Sequence, residues 1–144
     1  MYKFGKLDII CVGILKEEYL RAAQAEYIKR LTPYGKLSII EVSDDAKIIK
    51  HLQPAANKIA LEIGGSAPSS EGFAAMLGSF AVSGHSHLQF IVGGADGLPA
   101  AISAATAHHL SLSNMTFTHQ MARILLLEQV YRVCRILNNQ PYHK

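Results

Sequence analysis

Short apolar runs alternate along the chain with segments in which apolar residues recur at helical spacing. The runs predict five strands, at residues 7–13, 37–42, 58–63, 87–92 and 110–113. Helices are predicted at residues 16–31, 98–108 and 120–137, with a short helix that Asp44 or Asp45 caps and another that opens at Ser69. Strands alternating with helices are typical of an α/β protein with an open, mostly parallel sheet and helices on both faces.

Glycine and polar residues gather at the carboxyl ends of three predicted strands, at residues 62–65, 92–97 and 113–119. In open parallel sheets, ligands bind beyond the carboxyl ends of the strands, at a switch in the strand order. We therefore expect these three segments to lie where a ligand binds.

The glycine segment does not identify the ligand by itself. Gly93, Gly94 and Gly97 surround Asp96 in a GGxxG spacing that follows the fourth strand. A dinucleotide-binding fingerprint has the spacing GxGxxG after the first strand, and the chain contains no GxxxxGK[ST] phosphate loop. A purely steric turn and a ligand-binding loop are both compatible with this spacing.

The segment 113–119 joins the fifth strand to the long final helix and is rich in hydrogen-bonding groups. Met115 and Phe117 can flank a flat heterocycle while backbone amides bind its edge. Thr118 is a suitable N-cap for the helix, and this structural role is compatible with ligand binding. His119 stands at the junction of loop and helix, on the side where the ligand is expected.

Composition narrows the class of protein. Of the 144 residues, 49% are apolar and 17% are charged, and we expect one compact domain over residues 1–144. The chain has no apolar run long enough to span a bilayer and no signal-peptide pattern, which favours the cytoplasm. Cys11 and Cys134 lie in apolar runs, where buried free thiols are expected. The histidine spacings do not predict a metal site.

Positive charge is concentrated near the end of the chain. Residues 1–96 contain ten basic and ten acidic residues, so the whole net charge of +3 lies beyond them. Arg123, Arg132 and Lys144 are therefore candidates for contact with a polyanion such as RNA. Cations are also favoured at helix C-termini, which is the alternative explanation. The final helix is apolar nearly all round and indicates a homodimer interface.

The last six residues, 139–144, combine a stiffening Pro141 with an aromatic ring, an imidazole and a cation. They follow the final helix without a glycine linker. We expect an ordered tail whose side chains suit a polar or nucleic-acid ligand, although most chain ends fray. A surface tail without a function is the alternative.

Four segments, FIVGGADGL, LSLSNMTFTH, LEQVYR and NQPYHK, carry a family resemblance in their order and spacing. Together they resemble the RlmH methyltransferases of the SPOUT superfamily, and weaker similarity covers the whole chain. The resemblance implies S-adenosylmethionine-dependent methylation of N3 of a pseudouridine in large-subunit 23S ribosomal RNA, with the assembled ribosome as substrate. It also implies a homodimer and a C-terminal trefoil knot.

The resemblance further implies roles for individual residues. His119, Tyr142 and the final cation, Lys144, form its functional trio, and His143 and Glu128 are further candidates for a base that takes the N3 proton. Tyr142 is expected to stack on the target base, while Arg132 and Lys144 hold phosphates. The residues expected to bind the cofactor are Leu61, Glu62, Gly93, Gly94, Leu112, Ser113, Asn114, Met115, Thr116, Phe117 and Thr118.

Several positions depart from the family pattern. Lysine at position 144 keeps the positive charge of arginine but loses its two-pronged contact with phosphate. The segment from 44 to 57 is shorter than usual. The other departures are Ala95 and Asp96 in place of Pro and Glu, Thr118 and Gln120 in place of prolines, and Gln140 in place of a histidine.

Two other functions are compatible with the same residues. One is a SPOUT-type methyltransferase that modifies another RNA site. The other is a non-enzymatic α/β module that binds nucleotides or RNA, and this module would not bind S-adenosylmethionine.

Overall fold

Five parallel strands form the centre of the protein. The structure is a computed structural model that describes residues 1–82 and 87–142. The strands stand in the order β2-β1-β4-β3-β5, and every pair is parallel. Their bounds are β1 Gly5–Val12, β2 Gly35–Val42, β3 Asn57–Ser66, β4 His87–Val92 and β5 His108–Leu110.

Helices cover both faces of this sheet. In the described part of the chain the α-helices are α1 Glu18–Leu31, α2 Ser70–Val82, α3 Ala100–Ala104 and α4 His119–Leu137. Helices α1, α2 and α4 pack on one face, while α3 and the 3-10 turns at Asp45–Lys47 and Ile49–His51 lie on the other. The predicted α/β class and its parallel sheet are therefore confirmed. Within the described ranges, no helix is long and apolar enough to cross a membrane.

The central strands are apolar because both of their faces are buried. In β1, Leu7 and Ile9 join the core beneath the three long helices, whereas Ile10 packs with Ile91 of β4 on the opposite face. Strands buried on both sides have near-continuous apolar runs instead of strict alternation. This explains why the first and fourth strands are well predicted from sequence.

The elements on either side of residue 106 differ from the prediction. Helix α3 has only five residues, whereas a helix over residues 98–108 was predicted. Strand β5 begins at His108, whereas the prediction started this strand at residue 110. Helix α3 ends at Ala104, and Thr106 Oγ1 then donates to the carbonyl of Ser103 at 2.8 Å. The next residues then pair with β3, with His109 opposite Ala60. Pairing with a strand distant in sequence overrides the helical preference of the alanine-rich segment.

Burial of the two cysteines agrees with the sequence. Cys11 and Cys134 are free and buried. Burial raises the pKa of the Cys11 thiol to about 11 and that of Cys134 to about 12. Both side chains are therefore neutral thiols at physiological pH.

Arg123 fixes the start of α4 to the carboxyl ends of β1 and β2. Its side chain is 1% exposed, and its two terminal nitrogens donate to Glu41 Oε2 at 2.7 Å and to the Gly13 carbonyl at 3.0 Å. A third contact, to Gln24 Oε1 of α1, measures 3.4 Å. This enclosure argues against the RNA contact expected from the sequence, because a phosphate cannot reach the guanidinium. Arg123 is a structural residue in this fold.

Replacing Arg123 with alanine is expected to lower the free energy of unfolding by about 3 kcal/mol, the usual cost of breaking a buried ion pair. Urea unfolding of the Arg123→Ala variant measures this loss. Lys29→Ala, in the exposed last turn of α1, is the matched control and should change stability by less than about 0.5 kcal/mol. Equal stability of the two variants would contradict the structural role.

Candidate functional site

A cavity of about 850 Å³ opens at the carboxyl ends of β3, β4 and β5. Its walls are residues 61–63, 92–98, 110–113 and 115–119, with contributions from α3 and Ala122. Neighbouring strands β3 and β4 lead into helices on opposite faces of the sheet, α2 and α3. The cavity therefore lies at a switch point of the strand order, where α/β proteins bind their ligands.

The structure brings together ten of the eleven residues expected to bind the cofactor. Asn114 is the exception, because it belongs to the same loop but does not line the cavity. The lining residues among the eleven are Leu61, Glu62, Gly93, Gly94, Leu112, Ser113, Met115, Thr116, Phe117 and Thr118. The three strand ends that the sequence singled out are thus neighbours in space.

The glycine segment is a tight turn over the end of β4. Gly97 donates its amide to the Gly94 carbonyl at 3.0 Å and has a φ of 79°, a conformation that favours glycine. A Cβ atom on Gly93 would lie 2.7 Å from the carbonyl of Gly97, so the backbone on either side of the turn is in close contact. The steric need for glycine is real, and the turn also forms a cavity wall.

The loop before α4 is ordered by its own polar side chains. Ser111 Oγ donates to the Ser113 carbonyl at 2.7 Å, and Ser113 Oγ accepts from the Met115 amide at 3.0 Å. Thr118 caps α4, as predicted, by accepting from the Met121 amide at 3.2 Å. These bonds leave Met115 75% exposed and Phe117 43% exposed at the mouth of the cavity. Large exposed apolar side chains beside a cavity suit contact with a ligand.

The cavity is acidic. Among the described residues that line it, Glu62 and Asp96 are carboxylates, and none is a lysine or arginine. Glu62 Oε1 is buried and has no hydrogen-bond partner in the described part of the chain. Such a wall fits a ligand that carries positive charge and hydrogen-bond donors, and it does not fit a di- or triphosphate. S-adenosylmethionine fits this wall, because its sulfonium and ammonium groups carry positive charge and its ammonium group donates hydrogen bonds.

His119 is the first residue of α4 and lines the cavity. Its side chain is half-buried. The side-chain amide of the next residue, Gln120, connects this helix start to the loop after β1. Its Nε2 donates to the Ile14 carbonyl at 3.0 Å, and its Oε1 accepts from the Lys16 backbone amide at 3.2 Å. The imidazole is thus held at the cavity by a well-anchored helix end. Residues 1–82 and 87–142 contain no group of three potential metal ligands.

Tyr142 and Glu128 meet at the other end of α4. Tyr142 Oη donates to Glu128 Oε1 at 3.0 Å, and the same oxygen accepts from Arg132 at 2.6 Å. The guanidinium of Arg132 also lies 4.8 Å from the centre of the Tyr142 ring. Burial, with hydrogen bonds to Tyr27 and Glu128, raises the pKa of the Tyr142 hydroxyl. Tyr142 is therefore a neutral phenol that donates a hydrogen bond.

Residues 139–142 of the tail are held against the end of α4 by hydrogen bonds. Asn139 adopts a φ of 53° after the helix, a conformation that asparagine tolerates, and the Gln140 amide donates back to the Arg135 carbonyl at 2.8 Å. Arg135 then donates to the Pro141 carbonyl at 2.9 and 3.1 Å. The sequence analysis did not single out Arg135 for this role.

The two groups of candidate residues are separate within one chain. Glu128 follows His119 by nine residues, which corresponds to roughly 13 Å along an α-helix. Tyr142, Glu128 and Arg132 do not line the cavity. His143 and Lys144 lie outside the described residues. One chain alone therefore places the predicted base-stacking group away from the predicted cofactor pocket.

Comparison with known proteins identifies the class of this fold and site. Residues 6–143 match a family described as "Predicted SPOUT methyltransferase", so the chain belongs to the SPOUT methyltransferases. A protein of Desulforamulus reducens named Ribosomal RNA large subunit methyltransferase H is 41% identical, over 96% of this chain and 99% of the relative. Proteins of the same name from Bifidobacterium animalis and Acetivibrio thermocellus are 41% and 39% identical, with the same coverage. These matches confirm the resemblance to the RlmH methyltransferases.

The close backbone contact at Gly93 predicts a contrast between two adjacent positions. Gly93→Ala should lower the free energy of unfolding by about 1–3 kcal/mol, because the added methyl group overpacks the turn. Gly94→Ala places its methyl 3.4 Å from Val12 Cγ1, an ordinary contact, and should cost less than about 1 kcal/mol. Thermal unfolding of both variants tests this, and a larger loss for Gly94→Ala would refute the packing described.

Proposed function

We propose that this protein transfers a methyl group from S-adenosylmethionine to N3 of a pseudouridine in large-subunit ribosomal RNA. The acidic cavity at the switch point of a SPOUT methyltransferase fold is the observation that carries the proposal. Relatives that cover nearly the whole chain are named for methylation of large-subunit ribosomal RNA, which supports the substrate. Such a protein acts where ribosomes are, in the cytoplasm.

The cavity supports the cofactor by its size and charge. Its volume of about 850 Å³ falls within the range of small-molecule sites. Met115 and Phe117 offer apolar contacts for the adenine ring, while the backbone of residues 112–118 offers polar groups for its edge. Glu62 and Asp96 favour the cationic amino acid end. S-adenosylmethionine supplies an electrophilic methyl group on its sulfonium.

His119 is the residue proposed to accept the N3 proton of the pseudouridine. N3 of a pseudouridine is a weakly acidic imide that loses its proton at or before attack on the methyl group. Imidazole is the side chain that most often transfers protons as a general base. His119 carries this group and lines the cavity. Glu128 is a weaker candidate, since its carboxylate already accepts from Arg132 and Tyr142.

The separation of Tyr142 from the cavity supports a homodimer. We propose that the tail of one chain completes the cavity of its partner, so that Tyr142 stacks on the target base there. Arg132 lies against the Tyr142 ring and would hold a neighbouring phosphate. The proposal includes the C-terminal trefoil knot implied by the family and gives Lys144 the phosphate-binding role of the final cation.

Mass spectrometry of ribosomal RNA after incubation with the protein and S-adenosylmethionine tests the reaction. Methylation on N3 of one large-subunit pseudouridine is expected. In single-turnover assays, His119→Ala should slow the transfer about 100-fold or more, the usual share of a general base. Tyr142→Ala should slow it about 10- to 100-fold through lost stacking.

His108→Ala is the matched histidine control, because His108 packs on Phe80 and does not line the cavity. It should retain the wild-type rate. Wild-type rates in His119→Ala and Tyr142→Ala would refute the assigned roles. Methylation at another nucleotide would indicate a different SPOUT-type enzyme, and the absence of cofactor binding in calorimetry would indicate a binding module.

Mixed dimers provide a separate test of the shared site. If the tail acts in the partner's cavity, a dimer of one His119→Ala chain and one Tyr142→Ala chain has one intact site and one doubly defective site. Random pairing of equal amounts should therefore restore about a quarter of the wild-type sites. Activity no higher than that of the separate variants would show that both residues act within one chain.

A further inference from the structure

Glu62 and His109 form a pair at the edge of the cavity that the proposed reaction does not yet use. His109 Nδ1 lies 3.1 Å from Glu62 Oε2, while the second oxygen, Oε1, is buried without a partner among the described residues. Glu62 lines the cavity and His109 does not. His109 therefore binds one carboxylate oxygen without lining the cavity itself, and the other oxygen has no hydrogen-bond partner among the described residues.

Backbone geometry fixes the distance between the two side chains. His109 is paired with Ala60 in the β3–β5 ladder, so its side chain shares a face with Glu62, two residues further along β3. The end of β3 then bends back at Gly64, which has a φ of 84°, and brings Gly65 against the backbone of His109. A Cβ on Gly65 would lie 2.9 Å from the His109 carbonyl carbon. Both strands are thus held at this point.

We propose that His109 is a positioning residue that holds the Glu62 carboxylate to accept a hydrogen bond from an N–H or O–H group of the bound cofactor. This inference rests on the proposed function of the cavity. A buried carboxylate oxygen without a donor is rare in folded proteins, and a ligand donor would satisfy it. The terminal torsion of glutamate is broad, so the carboxylate can adjust to a ligand donor that enters the cavity.

Three parts of S-adenosylmethionine carry donors: the ammonium group, the ribose hydroxyls and the adenine amino group. Each forms a charge-assisted hydrogen bond with a carboxylate, and such bonds are stronger than neutral ones. S-adenosylhomocysteine contains all three groups, whereas methylthioadenosine lacks the ammonium group and keeps the other two. The two ligands therefore distinguish the ammonium group from the adenosine part without any need for catalysis.

Calorimetry of the full chain with these two ligands tests the inference. Glu62→Gln should weaken S-adenosylhomocysteine about tenfold or more, since it removes the charge and keeps the shape. His109→Ala should weaken it several-fold, and His109→Asn, whose amide can replace the Nδ1–H donor, should recover most of the loss. A penalty for Glu62→Gln that persists with methylthioadenosine places the donor on the adenosine part, and a penalty that disappears identifies the ammonium group.

A double variant separates positioning from general stability. If His109 acts through Glu62, adding His109→Ala to Glu62→Gln should cost no further affinity. His108→Ala, on the same short strand but outside the cavity, should bind like wild type. Additive losses, or equal losses in His108→Ala, would overturn the inference by indicating a general disturbance of the strand.

The proposed function and this inference fail in different ways. If the wild-type chain binds neither ligand, the proposed cofactor is wrong and the pair has no such role. If the wild-type chain binds both ligands and Glu62→Gln binds them equally well, the cofactor stands and only the role of the pair is refuted.

Discussion

The burial of α4 is the constraint on which the rest of the structure depends. This helix carries apolar residues around most of its circumference, and α1, α2 and the sheet together enclose them. Arg123 adds a buried polar anchor at its first turns. This helix begins at the cavity with His119, and near its other end Arg135 binds the tail through the Pro141 carbonyl. The position of α4 therefore determines where both groups of candidate residues lie.

Two-sided burial explains which parts of the fold were predictable. The runs of β1 and β4 are mostly apolar because each strand is covered on both faces, and they were recognised as strands. The start of β5 at His108 was not recognised from the sequence. The alanine-rich stretch before it favours a helix, and only pairing with β3 reveals the strand. Contacts between residues far apart in sequence leave little local signal.

The same distinction applies to the candidate site. Local composition at three strand ends located the cavity, because glycine and polar residues gather there at the carboxyl ends of parallel strands, where ligands bind. Arg123 was misread as a surface cation, since its partner Glu41 lies 82 positions earlier in the chain. The contact of His109 with Glu62 was likewise missed, because it crosses between two strands. Charge and spacing identify candidates, and burial decides their roles.

The described cavity wall within one chain carries two carboxylates and no lysine or arginine, and this has a consequence for turnover. Methyl transfer from a sulfonium leaves a neutral thioether, so the cofactor loses one positive charge during the proposed reaction. A cavity with two carboxylates attracts the spent molecule less strongly than the fresh one. The electrostatics of the wall would then favour exchange after each cycle, which makes product inhibition weaker than the shared adenosine contacts alone would produce.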